Sequence, residues 1–272
     1  MPRLGYFLVL ICIMLLFMNC SQAMERIDVQ GSTTVLPIMQ IIAEEFMNDH
    51  PDIEVTISGG GSGVGIAALL DRIIDIAMSS REMKPNELQK AQSLGLDIQE
   101  YTIALDAIAI IVRSQNSFID RIDSDTVKRI YTGSITDWKD LGGEEKPLVA
   151  ISRDTNSGTF EIFNEHILKK EEMAPMVLRL TSNRPILDEV SGNSNAIGYV
   201  GFGYLTPNVR ALILDGVEPT HDNVFNGSYP LSRSLHLYTA QSPQDAMQQF
   251  IDYILSEKGQ RIVEEEGYIR VK

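Results

Sequence analysis

The spacing of hydrophobic and polar positions changes several times between residues 27 and 95. Short runs of β-branched or alternating apolar residues predict strands at 27–30, 52–58 and 75–80. Apolar side chains at helical spacing predict helices over 34–48, through the segment AALLDRII (67–74) and over 85–95. Because strands and helices alternate, we expect a mainly parallel sheet with helices on both faces.

Residues 103–113 (IALDAIAIIVR) form the longest apolar strand in this pattern, and a strand of that length can pass between two lobes. A second α/β unit follows, with a strand, a helix and a strand at 147–154, 157–170 and 195–205. The chain then continues to a strand and a long amphipathic helix at 232–239 and 243–266. We predict two lobes, lobe 1 from 24–106 with 205–272 and lobe 2 from 107–204.

The first 23 residues have the composition of an export signal. Their apolar run, 6–18, is about 13 residues long, short of the roughly 20 that span a bilayer as a permanent helix. Small residues at Ser21 and Ala23 predict cleavage after Ala23 and a location in the periplasm or on the extracytoplasmic face. Lipid attachment at Cys20 is the alternative, ranked lower because Asn19 replaces the small residue usual before a lipidated cysteine.

Composition and charge limit the kinds of ligand and metal site that the folded part can have. Both cysteines, Cys12 and Cys20, lie in the leader, so we expect neither a disulfide nor a cysteine metal site in the folded part. The chain has 23 basic and 37 acidic residues, a net charge of −14. Such a surface argues against nucleic acid, whose binding requires Lys and Arg to neutralise phosphates. Any bound anion must therefore be held by local donors rather than by the overall field.

Three predicted strand-to-helix junctions are rich in hydrogen-bond donors: Ser32-Thr33-Thr34, Gly60-Gly61-Ser62-Gly63 and Ser157-Gly158-Thr159. The first turn of a helix leaves N–H groups without intrahelical partners, and such starts bind anions readily. Each junction taken singly is more often a structural N-cap. The third also has Arg153 beside it, whose planar fork suits two oxygens of a tetrahedral dianion. Together the three junctions indicate a single anion site.

Patterns typical of catalysis are not matched. The glycine run lacks the Gly-Lys-Ser/Thr ending of a P-loop, and Val64 breaks the nucleophile-elbow pattern around Ser62. His50, His166, His221 and His236 are scattered without metal-ligand spacing. We therefore expect a binding protein without cofactor or metal, and not an enzyme.

The ordered set GSTTVLP, SGGGSGVG, DIAMSSRE, SRDTNSGTF and NAIGYVGFGYL resembles the phosphate-binding proteins of phosphate ABC transporters. The likeness covers essentially the whole chain after the leader. It implies an α/β, two-lobed periplasmic-binding-protein-like fold of type II, with mixed, mostly parallel sheets and a ligand cleft between the lobes. It also implies a monomer that binds inorganic phosphate and delivers it to membrane permease subunits.

The resemblance assigns phosphate-binding roles residue by residue. It matches Thr33, Thr34, Ser62, Arg153, Ser157, Gly158 and Thr159, and with Ser32 of the first junction and Ser80 these residues form the predicted phosphate-binding set. This chain departs from members that have a Ser-Asp pair after the third strand, because it has Ser79-Ser80-Arg81. That aspartate accepts a hydrogen bond from protonated phosphate, which sulfate cannot donate. We expect Asp106 to supply the acceptor here, with Asp154 second; the plain alternative is that Asp106 pairs with Arg81 or caps a turn.

Other functions stay open at this level. Arg153 favours a strongly charged anion but does not choose among phosphate, sulfate, molybdate and tungstate. A phosphate-ester hydrolase would need an activated nucleophile or metals. A sensor or adhesion protein could keep the fold without tight binding.

Overall fold

The computed structural model describes residues 24–271, so the predicted leader with Cys12 and Cys20 lies outside the described residues. The strands are β1 (Glu25–Gly31), β2 (Ile53–Ser58), β3 (Ile76–Ser79), β4 (Gln99–Arg113), β5 (Arg121–Ile122), β6 (Val149–Arg153), β7 (Leu178–Leu180), β8 (Ala196–Gly201), β9 (Val209–Ala211), β10 (Ile213–Leu214) and β11 (Ser232–Thr239). The α-helices are α1 (Leu36–Asp49), α2 (Ser62–Leu70), α3 (Pro85–Ser93), α4 (Ser124–Tyr131), α5 (Gly158–Phe163), α6 (Asn183–Gly192), α7 (His221–Phe225), α8 (Asp245–Leu255) and α9 (Glu257–Glu265). None of the helices in this part of the chain is both long and apolar enough to cross a bilayer.

A nine-stranded mixed sheet runs through the molecule in the order β2-β1-β3-β11-β4-β8-β6-β7, with β9 also paired to β4. The strand-helix-strand alternation correctly predicts that β1 is parallel to both β2 and β3. The antiparallel pairs involve the two long strands, β4 and β11. Hydrophobic clusters cover both faces of each half of the sheet.

Strand β4 joins the two halves of the molecule. Its residues up to Ala107 pair with β11, whereas those from Ile108 onward pair with β8. The strand is almost continuously buried from Ile103 to Val112, as its sequence predicts, since that run is apolar except for Asp106. We call the half around β1–β3 the first lobe and the half around β6 and β8 the second lobe.

The chain returns to the first lobe later than the sequence predicted. Strand β9 pairs with Ile111–Arg113, and the segment from Leu212 to Leu231 contributes to the hydrophobic cluster of the second lobe. Residues 209–231 therefore pack with the second lobe, not with the first as the assignment of 205–272 supposed. The return occurs at β11, which pairs with β3 and with the first part of β4.

Three predicted helices end or divide earlier than their apolar periodicity indicated. The helix predicted over 157–170 is α5 only to Phe163, and a π-helix follows over Asn164–Leu168. The helix through 67–74 stops at Leu70, and Arg72 follows with a positive φ of 57°. The long C-terminal helix is two helices, α8 and α9, divided at Ser256. The Ser256 hydroxyl accepts the Gly259 N–H (3.2 Å) and so starts a new helix. Helix α6 had no counterpart in the sequence prediction.

Candidate functional site

The three donor-rich junctions lie where the two lobes meet, at the carboxyl ends of strands β1, β2 and β6. Glycine is required at one of these contacts: Gly61 has φ +100°, and a Cβ there would lie 2.6 Å from the Asn156 carbonyl oxygen of the other lobe. A Cβ on Gly158 would lie 2.5 Å from Ser62 Oγ. These glycines allow the second and third junctions to approach each other across the cleft.

The first junction contains hydroxyl groups with different tasks. Ser32 Oγ accepts the N–H groups of Thr34 (3.2 Å) and Val35 (3.4 Å), so it organises the start of α1. Thr33 Oγ1 is buried and has no hydrogen-bond partner among the described residues. The Thr33 carbonyl accepts the Tyr204 hydroxyl (2.6 Å) from the second lobe. A buried hydroxyl without a partner is unfavourable, which makes Thr33 a ready donor for a ligand.

The second and third junctions begin α2 and α5. Ser62 Oγ accepts the Ser80 N–H (3.1 Å) and lies 3.3 Å from Ser80 Oγ. Ser157 Oγ accepts the Phe160 N–H (3.2 Å) and so caps α5. The first helical bond of α5 runs from Glu161 N–H to the Ser157 carbonyl (3.0 Å). The amides of Gly158 and Thr159 therefore have no intrahelical acceptor and can donate to an anion.

Contacts between the lobes bring the predicted residues together. Thr34 Oγ1 lies 3.1 Å from Thr159 Oγ1, and the Gly63 N–H donates to the Asn156 carbonyl (3.0 Å). Asn183 Nδ2 donates to Thr34 Oγ1 (3.0 Å). The predicted residues Ser32, Thr33, Thr34, Ser62, Ser80, Arg153, Ser157, Gly158 and Thr159 are all buried.

Arg153 is the last residue of β6 and only 1% exposed. Its Nη2 donates to the Thr181 carbonyl (3.0 Å), while Nε has no hydrogen-bond partner among the described residues. Within the same part of the chain, no carboxylate lies within ion-pair distance of this guanidinium. Burial lowers the pKa of Arg153, and the neighbouring positive charge of Arg233 lowers it further.

Arg233 and Asn183 are cleft residues that the sequence analysis missed. Arg233 Nη1 donates to Thr159 Oγ1 (3.0 Å), and its Nε and Nη2 donate to Asp106 Oδ2 (2.9 and 2.7 Å). The sequence of the strand SRSLHLYT could have indicated Arg233. Residues two apart in a strand lie on the same face, so Arg233 shares the interior face with Leu235 and Leu237. Asn183 gave no such signal, because helix α6 itself was not predicted.

The two aspartates proposed as proton acceptors lie in different surroundings. Asp106 is fully buried in the cleft, and its Oδ1 accepts the Phe202 N–H (2.9 Å). It pairs with Arg233, so the alternative pairing with Arg81 is wrong. Asp154 Oδ1 accepts the N–H of Asn156 (2.8 Å) within its own turn. Its carboxylate therefore contacts its own loop, and the acceptor role of Asp106 stays a prediction.

Arg81 has carboxylate partners on both sides of the cleft. Its Nη1 and Nη2 donate to the two oxygens of Glu87 (2.8 Å each), and its Nε lies 2.6 Å from Glu161 Oε2. Burial alone would lower the pKa of Arg81, but these two carboxylates outweigh it and raise the pKa. The described residues contain no cluster of His, Cys, Asp and Glu that could hold a metal ion.

These features define a class of protein. A mixed sheet whose two lobes are joined by one long strand, with a buried and donor-lined cleft between them, is the architecture of a solute-binding protein for a small anion. Residues 21–258 match the family model of the PBP superfamily domain.

Comparison with known proteins shows to which family within this superfamily the chain belongs. The chain is 31% identical over 252 residues to the phosphate-binding protein PstS of Staphylococcus aureus, covering 88% of this chain and 76% of the relative. A Clostridium perfringens structure with bound phosphate, of a phosphate ABC transporter substrate-binding protein, is 38% identical with a TM-score of 0.85, covering 91% of this chain and 100% of that one. A phosphate transport receptor from Vibrio cholerae is 31% identical with a TM-score of 0.74, covering 89% and 99%. The chain belongs to the PBP superfamily and, within it, to the family of PstS proteins.

Proposed function

We propose that this protein binds inorganic phosphate outside the cytoplasm and delivers it to the permease of an ABC transporter. The observation that carries the proposal is Arg153, a buried guanidinium without a carboxylate partner among the described residues. Burying an unpaired charge costs several kcal/mol, so an anion in the cleft would be strongly favoured. Phosphate is the anion named for the relatives in the same family.

The donors around the cleft suit a tetrahedral dianion. They are the hydroxyl of Thr33, one hydroxyl of the hydrogen-bonded pair Thr34 and Thr159, the first-turn amides of α5 and the guanidinium of Arg153. Hydrogen bonds to a charged group contribute about 1.5–3 kcal/mol each. Micromolar affinity requires about 8 kcal/mol. Four to six such bonds meet that requirement after the cost of ordering the ligand.

Delivery across a membrane requires a permease and an energy-coupling ATPase. We propose that the permease and ATPase are separate chains, because the sequence resembles the binding subunit alone. Release would follow from separation of the two lobes around β4 and the segment leading into β11. We propose a monomeric binding protein and not an enzyme, since the relatives are named for phosphate binding and transport.

Calorimetric titration of the protein with phosphate, sulfate and molybdate tests the proposed ligand. We expect a dissociation constant in the micromolar range or tighter for phosphate and at least tenfold weaker binding of the other two. Tighter binding of sulfate or molybdate would transfer the function to that anion. No binding of any of the three would reject an oxyanion-binding role.

We propose that Asp106 provides the acceptor that distinguishes hydrogen phosphate from sulfate, because its carboxylate is the one buried in the cleft. Asp106→Asn should reduce the ratio of phosphate to sulfate affinity by about tenfold, since an unfavourable contact with bare sulfate is removed. Asp154→Asn makes the same chemical change in the turn beside Arg153 and should leave the ratio unchanged. An unchanged ratio in Asp106→Asn would restrict that residue to pairing with Arg233.

A further inference from the structure

A cluster of charged residues connects the two lobes beside the anion cleft. Glu161 belongs to the first turn of α5, two residues beyond Thr159, on the second lobe. Its Oε2 lies 2.6 Å from Arg81 Nε and 2.9 Å from Lys84 Nζ, both on the first lobe. The side chain of Glu161 is 15% exposed and that of Arg81 only 4%. The contact between Glu161 and Arg81 is therefore largely shielded from solvent, where charge pairs are stronger than on an open surface, whereas the Lys84 side chain is 46% exposed.

Contacts within the first lobe fix the position of Arg81 independently of the second lobe. Both terminal nitrogens of Arg81 are bound by Glu87, and Glu87 also accepts the Lys84 N–H (2.8 Å). This pairing fixes the plane of the guanidinium and leaves its Nε edge facing Glu161. The Nε–H is not well aligned with the Glu161 oxygen, so the contact is an ion pair rather than a hydrogen bond of good geometry.

We propose that Glu161 is a positioning residue for anion binding, forming with Arg81 and Lys84 an interlobe latch. The latch holds the start of α5, and with it Gly158 and Thr159, against the first lobe in the closed arrangement. When the lobes separate, Glu161 loses both cations, so the ion pairs exist only in the closed state. The free energy that these ion pairs contribute to closure therefore adds to the affinity for the ligand. This inference rests on the proposed function.

Simple electrostatics and the latch predict opposite changes in anion affinity when Glu161 is removed, so the latch can be tested. Glu161 is a negative charge close to a site for an anion, and its removal should strengthen anion binding if it acted through its field alone. As part of the latch, its removal weakens binding and speeds ligand release, because truncating one partner of a shielded charge pair acts mainly on the dissociation rate. The direction of the change therefore separates the two roles.

The test compares phosphate binding by Glu161→Gln and Glu165→Gln. Glu165 lies one turn further along the same helical segment and lines the same pocket beside the anion cleft as Arg81 and Lys84. It is exposed and has no ion-pair partner among the described residues. Both variants remove one negative charge near the site. We expect about tenfold weaker phosphate affinity and faster dissociation for Glu161→Gln, and a change within about twofold for Glu165→Gln. Far-UV circular dichroism establishes that both variants fold.

Equal or tighter phosphate binding by Glu161→Gln relative to Glu165→Gln would overturn the latch. Salt provides a second measurement, because screening acts on the ion pairs. Raising the NaCl concentration should weaken phosphate binding more in the unchanged protein than in Glu161→Gln. If the unchanged protein binds no phosphate, the proposed function fails instead, so the two failures are distinguishable.

Discussion

Two buried arginines border the same cleft and differ in how their charge is compensated. Arg81 and Arg153 are 5% and 1% exposed, respectively. Arg81 contacts two carboxylates, and its pKa is raised. Arg153 contacts a backbone carbonyl, and its pKa is lowered by burial. Similar burial thus accompanies opposite shifts of the pKa, because Arg81 has carboxylate partners and Arg153 has a backbone carbonyl.

The comparison indicates which arginine is available to a ligand. A guanidinium already neutralised by carboxylates gains little from an additional anion, whereas one that is buried without compensation gains a great deal. Arg233 is intermediate, since Asp106 neutralises it while its Nη1 still reaches Thr159. This contrast supports the proposal that Arg81 connects elements of the protein, whereas Arg153 binds the anion.

The largest expected effect comes from removing the uncompensated charge. Arg153→Met should weaken phosphate binding about a thousandfold, or roughly 4 kcal/mol, through the loss of charge-assisted hydrogen bonds. Without phosphate, the same change should not lower the free energy of unfolding, because an unpaired buried charge is replaced by an apolar side chain. Calorimetric titration and urea unfolding measure the two quantities.

Arg121→Met is the matched control for Arg153→Met, since it removes the same charge from a side chain that is 72% exposed. It should leave phosphate affinity within about twofold. A loss of stability in Arg153→Met with phosphate binding retained would show that Arg153 has a structural role like that of Arg81.

Much of the fold could be predicted because it depends on local patterns. Strand β11 was predicted at 232–239 and is observed over Ser232–Thr239. The prediction succeeds because apolar residues alternate along the strand and are buried in the core. Helix ends were less predictable. Ser256 sits within a continuous amphipathic pattern, and only the observed hydrogen bond to the Gly259 amide shows that it starts a second helix.

The site was predictable to the extent that each loop has its own sequence signature. The three junctions contain Ser, Thr and Gly at helix starts, and they meet in the structure as expected. The pairing of charges was not predictable, because Asp106 and its partner Arg233 are 127 positions apart. The structure places three arginines near the cleft, and the sequence does not indicate which carboxylate neutralises which guanidinium.

The smallest effect concerns the carboxylate that holds Arg81 within the first lobe. Burial alone would raise the pKa of Glu87, but hydrogen bonds from Arg81 and from the Lys84 N–H outweigh it and leave the pKa lowered. A carboxyl group with a lowered pKa stabilises the folded state above its unfolded pKa, here about 4.5, and this contribution is lost as the pH falls through the folded value. Glu87→Gln should therefore cost about 1 kcal/mol of unfolding free energy at pH 7.

That difference between Glu87→Gln and the unchanged protein should shrink as the pH falls below about 4.5, where protonation removes the same charge in the unchanged protein. Urea unfolding of both proteins between pH 7 and pH 3 measures it, with Glu165→Gln as the control for an exposed carboxylate. A difference that stayed constant over this range would mean that Glu87 stabilises the first lobe through packing alone. The contrast between the two arginines would then rest on the Glu161 contact, because Glu161 would be the remaining carboxylate that compensates Arg81.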